Sequence, residues 1–526
     1  MRRAVLCCAL FAVVVSACSM SSATPNGYGG TRLGAPRASY GAAGTADSGW
    51  AHSTPYAWPT VGSDTTPAPQ QYPYPPVSFP SLGTNPYVDT TRDDLSTFGL
   101  DVDTASYTVA RNYVTQGLRP DSASVRPDEW VNYFDQGYAA PETGAFAIHA
   151  DGGPTPFLSS SEVLLRVGVK ARVESAGSRP SAALTFVVDV SGSMAQDGRL
   201  DLVKQSIGLL VDQLRPDDRV SIVAFTTDAR VVLEPTPGDQ RDRILSALSG
   251  LQPQNNTNVE AGLELGYRLA REQFLENGIN RVVVATDGVA NVQSTDAATI
   301  LRDAGAGTGS HVQLVAVGVG MGNFNDALLE QLAIQGDGFY AYVDTLDEAR
   351  NIFVDQLTQT IDTVALDAKA QIEFNPATVA GYRLIGYEDR SVADSQFRDP
   401  NAKGGAIGAG HEVTALYALV LRRGESSDPR LATVQLRWTD RQSSRASEIS
   451  QDIDLGDLSS SFEATDPHFK LDSLVAATAE VLRNSPWIPE YRIVDLRGAA
   501  AQIESRLPRT AQVSDFVSML DQIRNW

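Results

Sequence analysis

The hydrophobic pattern of this 526-residue chain changes period several times, and each change marks a region. Between about residues 180 and 360, short continuous apolar runs alternate with amphipathic stretches. Runs such as Leu184-Thr185-Phe186-Val187-Val188 and Val282-Val283-Val284-Ala285 suit strands buried on both faces of a parallel sheet. The pattern predicts strands at 184–189, 219–225, 281–286, 312–318 and 338–343, with helices including 199–214, 258–276 and 323–335 between them. That alternation places this region in the α/β class, as a doubly wound, mostly parallel sheet.

On either side the period falls to two. Val163, Leu165, Val167, Val169, Ala171 and Val173 alternate with polar residues, as do Ala368, Ala370, Ile372 and Phe374, and Ala432, Val434, Leu436 and Trp438. Val413, Ala415, Tyr417 and Leu419 follow the rhythm more loosely. Such alternation predicts half-buried antiparallel strands. The simplest topology is a β-rich, sandwich-like domain whose chain leaves, builds the α/β unit and returns. Helical stripes bracket it. Asp103-Thr104-Ala105 is suited to cap a helix running to about Gln116, with Tyr107, Ala110 and Val114 on one face. A second helix starts near Pro127, a third opens at Asp466-Pro467, and a last one carries Val513, Phe516, Val517, Leu520 and Ile523.

The first residues follow neither pattern. Arg2 and Arg3 precede an apolar run from Ala4 to Ala17, too short to span a bilayer and of the length of a signal-peptide core. It closes on Val15-Ser16-Ala17-Cys18, which resembles a bacterial lipobox, and the resemblance implies cleavage before Cys18 and lipidation of that cysteine. Ser19 stands where an aspartate would signal inner-membrane retention, so the expected location is the cell envelope, lipid-anchored in the outer membrane. From there to about residue 90 the chain is rich in Pro, Gly, Ser, Thr and Tyr, too poor in aliphatic residues to build a core, and reads as a disordered tether. The expected organisation is therefore 1–17 signal peptide, 18–90 lipidated tether, 91–141 helical segment, 142–180 strands of the β-rich domain, 181–361 α/β unit, and 362–526 β-rich region with two helices.

Composition narrows the functions. A formal charge of −21 argues against nucleic acid as partner, since phosphate binding needs a basic surface. All three cysteines fall within the first 18 residues, leaving the rest without disulfides or thiolate sites. The five histidines are scattered and there is no HExxH, phosphate loop or GxSxG elbow. What the chain does carry is oxygen donors at strand ends: Asp189, Ser191 and Ser193 in one loop, Thr257 in a second, Asp287 in a third. Ligands of open α/β sheets bind at the carboxyl ends of strands, and hard oxygen donors suit magnesium, calcium or manganese. Taken singly, each has a plain reading as a helix cap, and Thr257 is itself an alternative N-cap. Asp101 and Asp103 read as a cap plus a solvated acid or as a carboxylate pair; His411 reads as hydrogen-bonded at a strand start, or as a general base.

The five strand-end residues, in this order, are similar to the metal-ion-dependent adhesion site of a von Willebrand factor type A domain. The resemblance implies that Asp189, Ser191, Ser193, Thr257 and Asp287 hold Mg²⁺, or Mn²⁺ or Ca²⁺, with one coordination position open for an acidic residue of a protein partner. Flanking motifs narrow it further. Ser96-Thr97-Phe98-Gly99-Leu100-Asp101-Val102-Asp103-Thr104-Ala105-Ser106-Tyr107, Val131-Asn132-Tyr133-Phe134, Gly322-Asn323-Phe324-Asn325-Asp326, Tyr382-Arg383-Leu384-Ile385-Gly386-Tyr387-Glu388 and Ile407-Gly408-Ala409-Gly410-His411 resemble the bacterial YfbK-like family of lipoproteins. Two departures stand out: Asn255-Asn256 replace a usual Gly-Ser pair, and the acidic residue often found near Ala406 is missing. The expected function is a membrane-anchored binding module that captures a carboxylate through its cation. The alternatives are a structural envelope protein with a bracing metal and a metal-assisted hydrolase. The helix expected at about 345–361 would couple the α/β unit to the C-terminal region.

Overall fold

The computed structural model describes residues 79–526 apart from 101, 175–176, 178, 255, 289–295, 307–311, 321–324, 358–360, 425–426, 442, 489–490 and 524–526. The expected signal peptide, Cys18, most of the expected tether, Asp101, Asn255 and Gly322-Asn323-Phe324 lie outside the described residues.

The chain opens with strands β1 (Val88–Asp89) and β2 (Leu95–Gly99), helices α1 (Ala105–Thr115) and α2 (Pro127–Asn132), and strands β3 (Phe146–Gly153) and β4 (Glu162–Ala171). It then builds the α/β unit: β5 (Ala182–Asp189), α3 (Arg199–Val211), β6 (Arg219–Phe225), β7 (Ala229–Pro237), α4 (Arg241–Ser249), α5 (Val259–Glu272), β8 (Ile279–Thr286), α6 (Ala297–Asp303), β9 (Gln313–Val319), α7 (Asp326–Gln335), β10 (Tyr340–Val343) and α8 (Leu346–Arg350). Strands β11 (Thr363–Phe374), β12 (Val379–Ile385), β13 (Gly405–Gly408), β14 (Glu412–Leu421), β15 (Arg430–Asp440) and β16 (Ala446–Asp454) follow, then helices α9 (Pro467–Leu482), α10 (Ile493–Ile503) and α11 (Ala511–Ile523). No helix among the described residues is long and apolar enough to cross a membrane.

The α/β unit is a six-stranded sheet in the order β10-β9-β8-β5-β6-β7, parallel except for β7, an antiparallel edge that the hydrophobic pattern did not reveal. Every residue of β5 and β8 is buried, the polar Asn280 and Arg281 at the start of β8 included. Helix α5 lies close over this centre: a Cβ on Gly266 would come within 2.4 Å of Val187, so only glycine permits that approach. The remaining strands form two five-stranded sheets, β1-β12-β14-β4-β3 and β13-β11-β15-β16 with β2 on β11. Each combines strands from before and after the α/β unit, so the chain leaves the β-rich layer and returns to it.

The half-exposed reading of two strands needs correction. Strands β4 and β14 were expected to be half-exposed, yet both are almost wholly buried. Leu165, Val167 and Val169 pack against the second sheet, while Leu164, Leu416 and Ala418 of the opposite face join the core built by α2, α9, α10 and α11. The polar positions are buried too: Arg166 on β4 is ion-paired to Asp151 at 2.7 Å and Asp472 at 3.3 Å. Val173 lies beyond the end of β4 and is exposed. Helix α1 carries its expected apolar stripe and is buried on a second face as well. Tyr107, Ala110 and Val114 meet the C-terminal helices, whereas Ala105, Val109 and Tyr113 pack on the α/β unit. The helix expected over 345–361 is a short α-helix that passes into a π-helical turn at Asn351–Asp355.

Candidate functional site

The sheet order sets β5 beside β8, so the loops that follow these two strands emerge together at the carboxyl edge. Asp189, the last residue of β5, is fully buried. Its Oδ1 accepts the Ser191 backbone N–H at 2.7 Å and its Oδ2 accepts the Thr286 hydroxyl at 2.6 Å, so both carboxylate oxygens are fixed. Ser191 Oγ and Ser193 Oγ hydrogen-bond each other at 3.0 Å, and Ser193 Oγ donates to Asp287 Oδ1 at 2.9 Å. Four of the five expected residues are thus joined in one network. Asp287 and Ser191 are buried, whereas Ser193 is half-buried and forms the rim.

Thr257 is not part of this hydrogen-bonded network. The helix cap is Asn258, whose side chain accepts the Ala261 N–H at 3.2 Å, so Thr257 is released from the capping role it was an alternative for. Its loop is tied to the first loop where Gln254 N–H donates to Val190 O at 2.6 Å. Thr257 is buried, and no hydrogen bond joins its side chain to the other four. Asn256, one of the two departures from the family pattern, has φ +68° and donates to Thr227 Oγ1 at 3.1 Å.

Sequence reasoning missed two residues here. Thr286 was read only as part of a strand, and it orients Asp189. Arg199 was read only as the start of a helix. It places Nη1 2.6 Å from Asp287 Oδ2, with both side chains buried. Burial pushes Asp189 up to about 6, with the Asp287 charge adding to the rise and the bonds from Thr286 and Ser191 opposing it. Among the described residues no cluster of three or more His, Cys, Asp or Glu side chains is placed to hold a metal ion. The donors joined at this edge include the Asp189 and Asp287 carboxylates and the Ser191 and Ser193 hydroxyls, a set chemically suited to a hard divalent cation.

Comparison with known proteins fits this geometry. The von Willebrand factor type A domain model matches residues 183–355, a model described as von Willebrand factor matches 76–166, and one described as the C-terminal region of uncharacterized protein YfbK matches 359–525. Uncharacterized protein YfbK of Escherichia coli (strain K12) is 34% identical over 462 residues, 83% of this chain and 79% of that one. The chain belongs to the YfbK family. Uncharacterized protein sll0103 of Synechocystis sp. is a more distant relative of this YfbK-family chain, 27% identical over 312 residues, 58% of this chain and 71% of that one. Among solved structures, a von Willebrand factor type A protein from Catenulispora acidiphila aligns with a TM-score of 0.43 at 16% identity, covering 72% of this chain and 89% of that one.

The other candidate residues of this YfbK-family chain have structural roles. Asp103 neither caps α1 nor meets solvent: Oδ1 accepts the Tyr340 N–H at 2.8 Å and Oδ2 pairs with Arg390 at 2.6 Å. His411 stands at the turn into β14, where Nδ1 accepts the Gly408 N–H at 3.0 Å. Burial pushes its pKa down to about 3, with the charges of Arg281 and Lys170 adding, so the ring is neutral at physiological pH. It borders a cavity of about 300 Å³ shared by Lys170, Phe339, Asp355 and Glu412.

Proposed function

We propose that this YfbK-family protein is a non-catalytic, envelope-anchored binding module that captures a carboxylate of a protein partner through a divalent cation. Asp189, Ser191, Ser193, Thr257 and Asp287 would hold Mg²⁺, with Mn²⁺ or Ca²⁺ as alternatives, and the cation would supply an electrophile for an external carboxylate. The observation that carries this reading is the hydrogen-bonded convergence of Asp189, Ser191, Ser193 and Asp287 at the carboxyl edge of the sheet.

The division of labour follows from burial. Asp189, locked by Thr286 and the Ser191 N–H, supplies charge at the bottom of the site and holds its geometry. Ser191 and Ser193 supply neutral oxygen donors that leave most of a cation's charge uncompensated. Ser193 lies at the half-buried rim, the side from which a partner group approaches. None of the hydrogen bonds or ion pairs of this network involves a histidine, and serine hydroxyls coordinated to a cation would be poor nucleophiles. Anchoring would come from lipid on Cys18, with the folded part carried on the tether and facing the periplasm or the cell surface.

The test is metal-dependent capture. The immobilised full chain should retain envelope proteins in Mg²⁺ and lose them on chelation, and Asp189→Ala should retain none. Capture that survives both chelation and Asp189→Ala would remove the metal from the function and leave the structural role as the better account.

A further inference from the structure

Arg199 sits where a guanidinium is disfavoured twice. It is only 4% exposed, and it is the first residue of α3, where the helix dipole favours acids and opposes cations. Its surroundings are nevertheless shaped to hold it there. Asp197 and Gly198, with φ +49° and +70°, make the kink that starts α3 at this residue. Gly320, just beyond the end of β9 and with φ +70°, leaves the space the side chain fills: a Cβ there would lie 2.2 Å from Arg199 Nε and 2.5 Å from its Cδ. The buried contact this placement secures is Nη1 to Asp287 Oδ2 at 2.6 Å. The second carboxylate within reach, Asp197, is 3.5 Å from Nη2 and largely exposed. Nε is buried with no hydrogen-bond partner among the described residues.

Charge counting gives this arrangement a consequence. Asp189 and Asp287 contribute two negative charges and Arg199 returns one, leaving a net charge of −1 around the hydroxyl donors. A divalent cation held there keeps one unit of positive charge that the protein's own groups do not cancel. Without Arg199 the site and the cation would be neutral together.

We propose that Arg199 is a positioning residue that cancels Asp287, so that the site binds its cation less tightly by itself and depends on an external anion to complete it. This rests on the metal-binding reading above and adds how that site favours an acidic partner. By linkage, a carboxylate from outside should then strengthen cation binding, and the cation should strengthen carboxylate binding by the same factor.

The experiment measures Mn²⁺ affinity of the full chain with and without acetate as the carboxylate probe. For wild type, acetate should tighten Mn²⁺ binding several-fold. Arg199→Met should bind Mn²⁺ about tenfold more tightly without acetate, the scale of losing an adjacent charge, and acetate should no longer help. Arg199→Lys, which keeps the charge, should stay close to wild type. Gly320→Ala, which drives the arginine off Asp287 without removing it, should shift in the direction of Arg199→Met, and it decides the matter if that variant does not fold. Unchanged affinity and acetate coupling in folded Arg199→Met or Gly320→Ala would overturn the proposal and leave a purely structural ion pair. No Mn²⁺ binding by wild type or any variant would overturn the metal reading itself, an outcome distinct from equal binding by all.

Discussion

Two groups of buried carboxylates in this chain are balanced by different means. At the carboxyl edge of the parallel sheet, Asp189 and Asp287 are met mainly by hydroxyls and one guanidinium, and the cluster ends in a half-buried serine. Where α2, α7 and the turn after β12 meet, the acids are interlocked with arginines instead. Arg126 pairs with Glu129, with Asp326 at 2.7 Å and with Glu330 at 3.9 Å, and Arg390 pairs with Asp103 at 2.6 Å and Glu330 at 3.6 Å. Tyr340 adds a hydrogen bond to Asp326 at 2.9 Å. Burial pushes Glu330 well above the usual carboxylate range, with Asp389 adding to the rise and Arg126 opposing it. This second group is largely buried and ties the N-terminal segment, the α/β unit and the C-terminal region together. Acids interlocked with several guanidinium pairs form a structural lock, whereas hydroxyl partners, a single guanidinium and a half-buried rim leave room for a ligand.

The comparison breaks most visibly at Arg126. Arg126→Met removes the shared cation from Glu129, Asp326 and Glu330, and should cost about 3–5 kcal/mol in denaturant unfolding. Cation binding at Asp189 should be unchanged in whatever fraction stays folded, because the two clusters share no residue. His411 offers a milder contrast, a half-buried base kept neutral beside cations. Its folded pKa of about 3 lies below the ordinary histidine value of 6.5, so the unfolded chain binds more protons between these limits. Stability should therefore fall as pH drops from about 6.5 toward 3, by up to about 1.4 kcal/mol per pH unit from this group. Thermal melts of His411→Gln between pH 7 and 5 should show a shallower loss than wild type. The smallest effect should come from Asn258→Ala, which deletes the cap of α5 and should cost about 1 kcal/mol. Because the cap fixes the residue after Thr257, this variant should also bind its cation more weakly without losing it.

Legibility in the sequence followed how local the cause was. The buried runs of β5 and β8 announced themselves because both faces are apolar, and the strand-end position of Asp189, Ser191, Ser193 and Asp287 could be read from the same runs. Strands β4 and β14 were misread as half-exposed because the cover on their second face comes from helices far along the chain. There, polar positions such as Arg166 are buried by ion pairing, which no alternation pattern records. Asp103 was taken for a cap because its partners, Tyr340 and Arg390, are distant in sequence. Arg199 did leave a trace. An arginine opening a helix straight after Asp197-Gly198 breaks the preference for acids in a first turn, and such local conflicts tend to mark functional positions.

The central claim is that the strand-end oxygens hold a divalent cation. Calorimetric titration of the full chain with Mg²⁺ and Mn²⁺, beside Asp189→Ala and Thr257→Ala, tests it most directly. The account predicts heat of binding in wild type that disappears in both variants. No heat at millimolar metal, or equal heat in all three proteins, would contradict it.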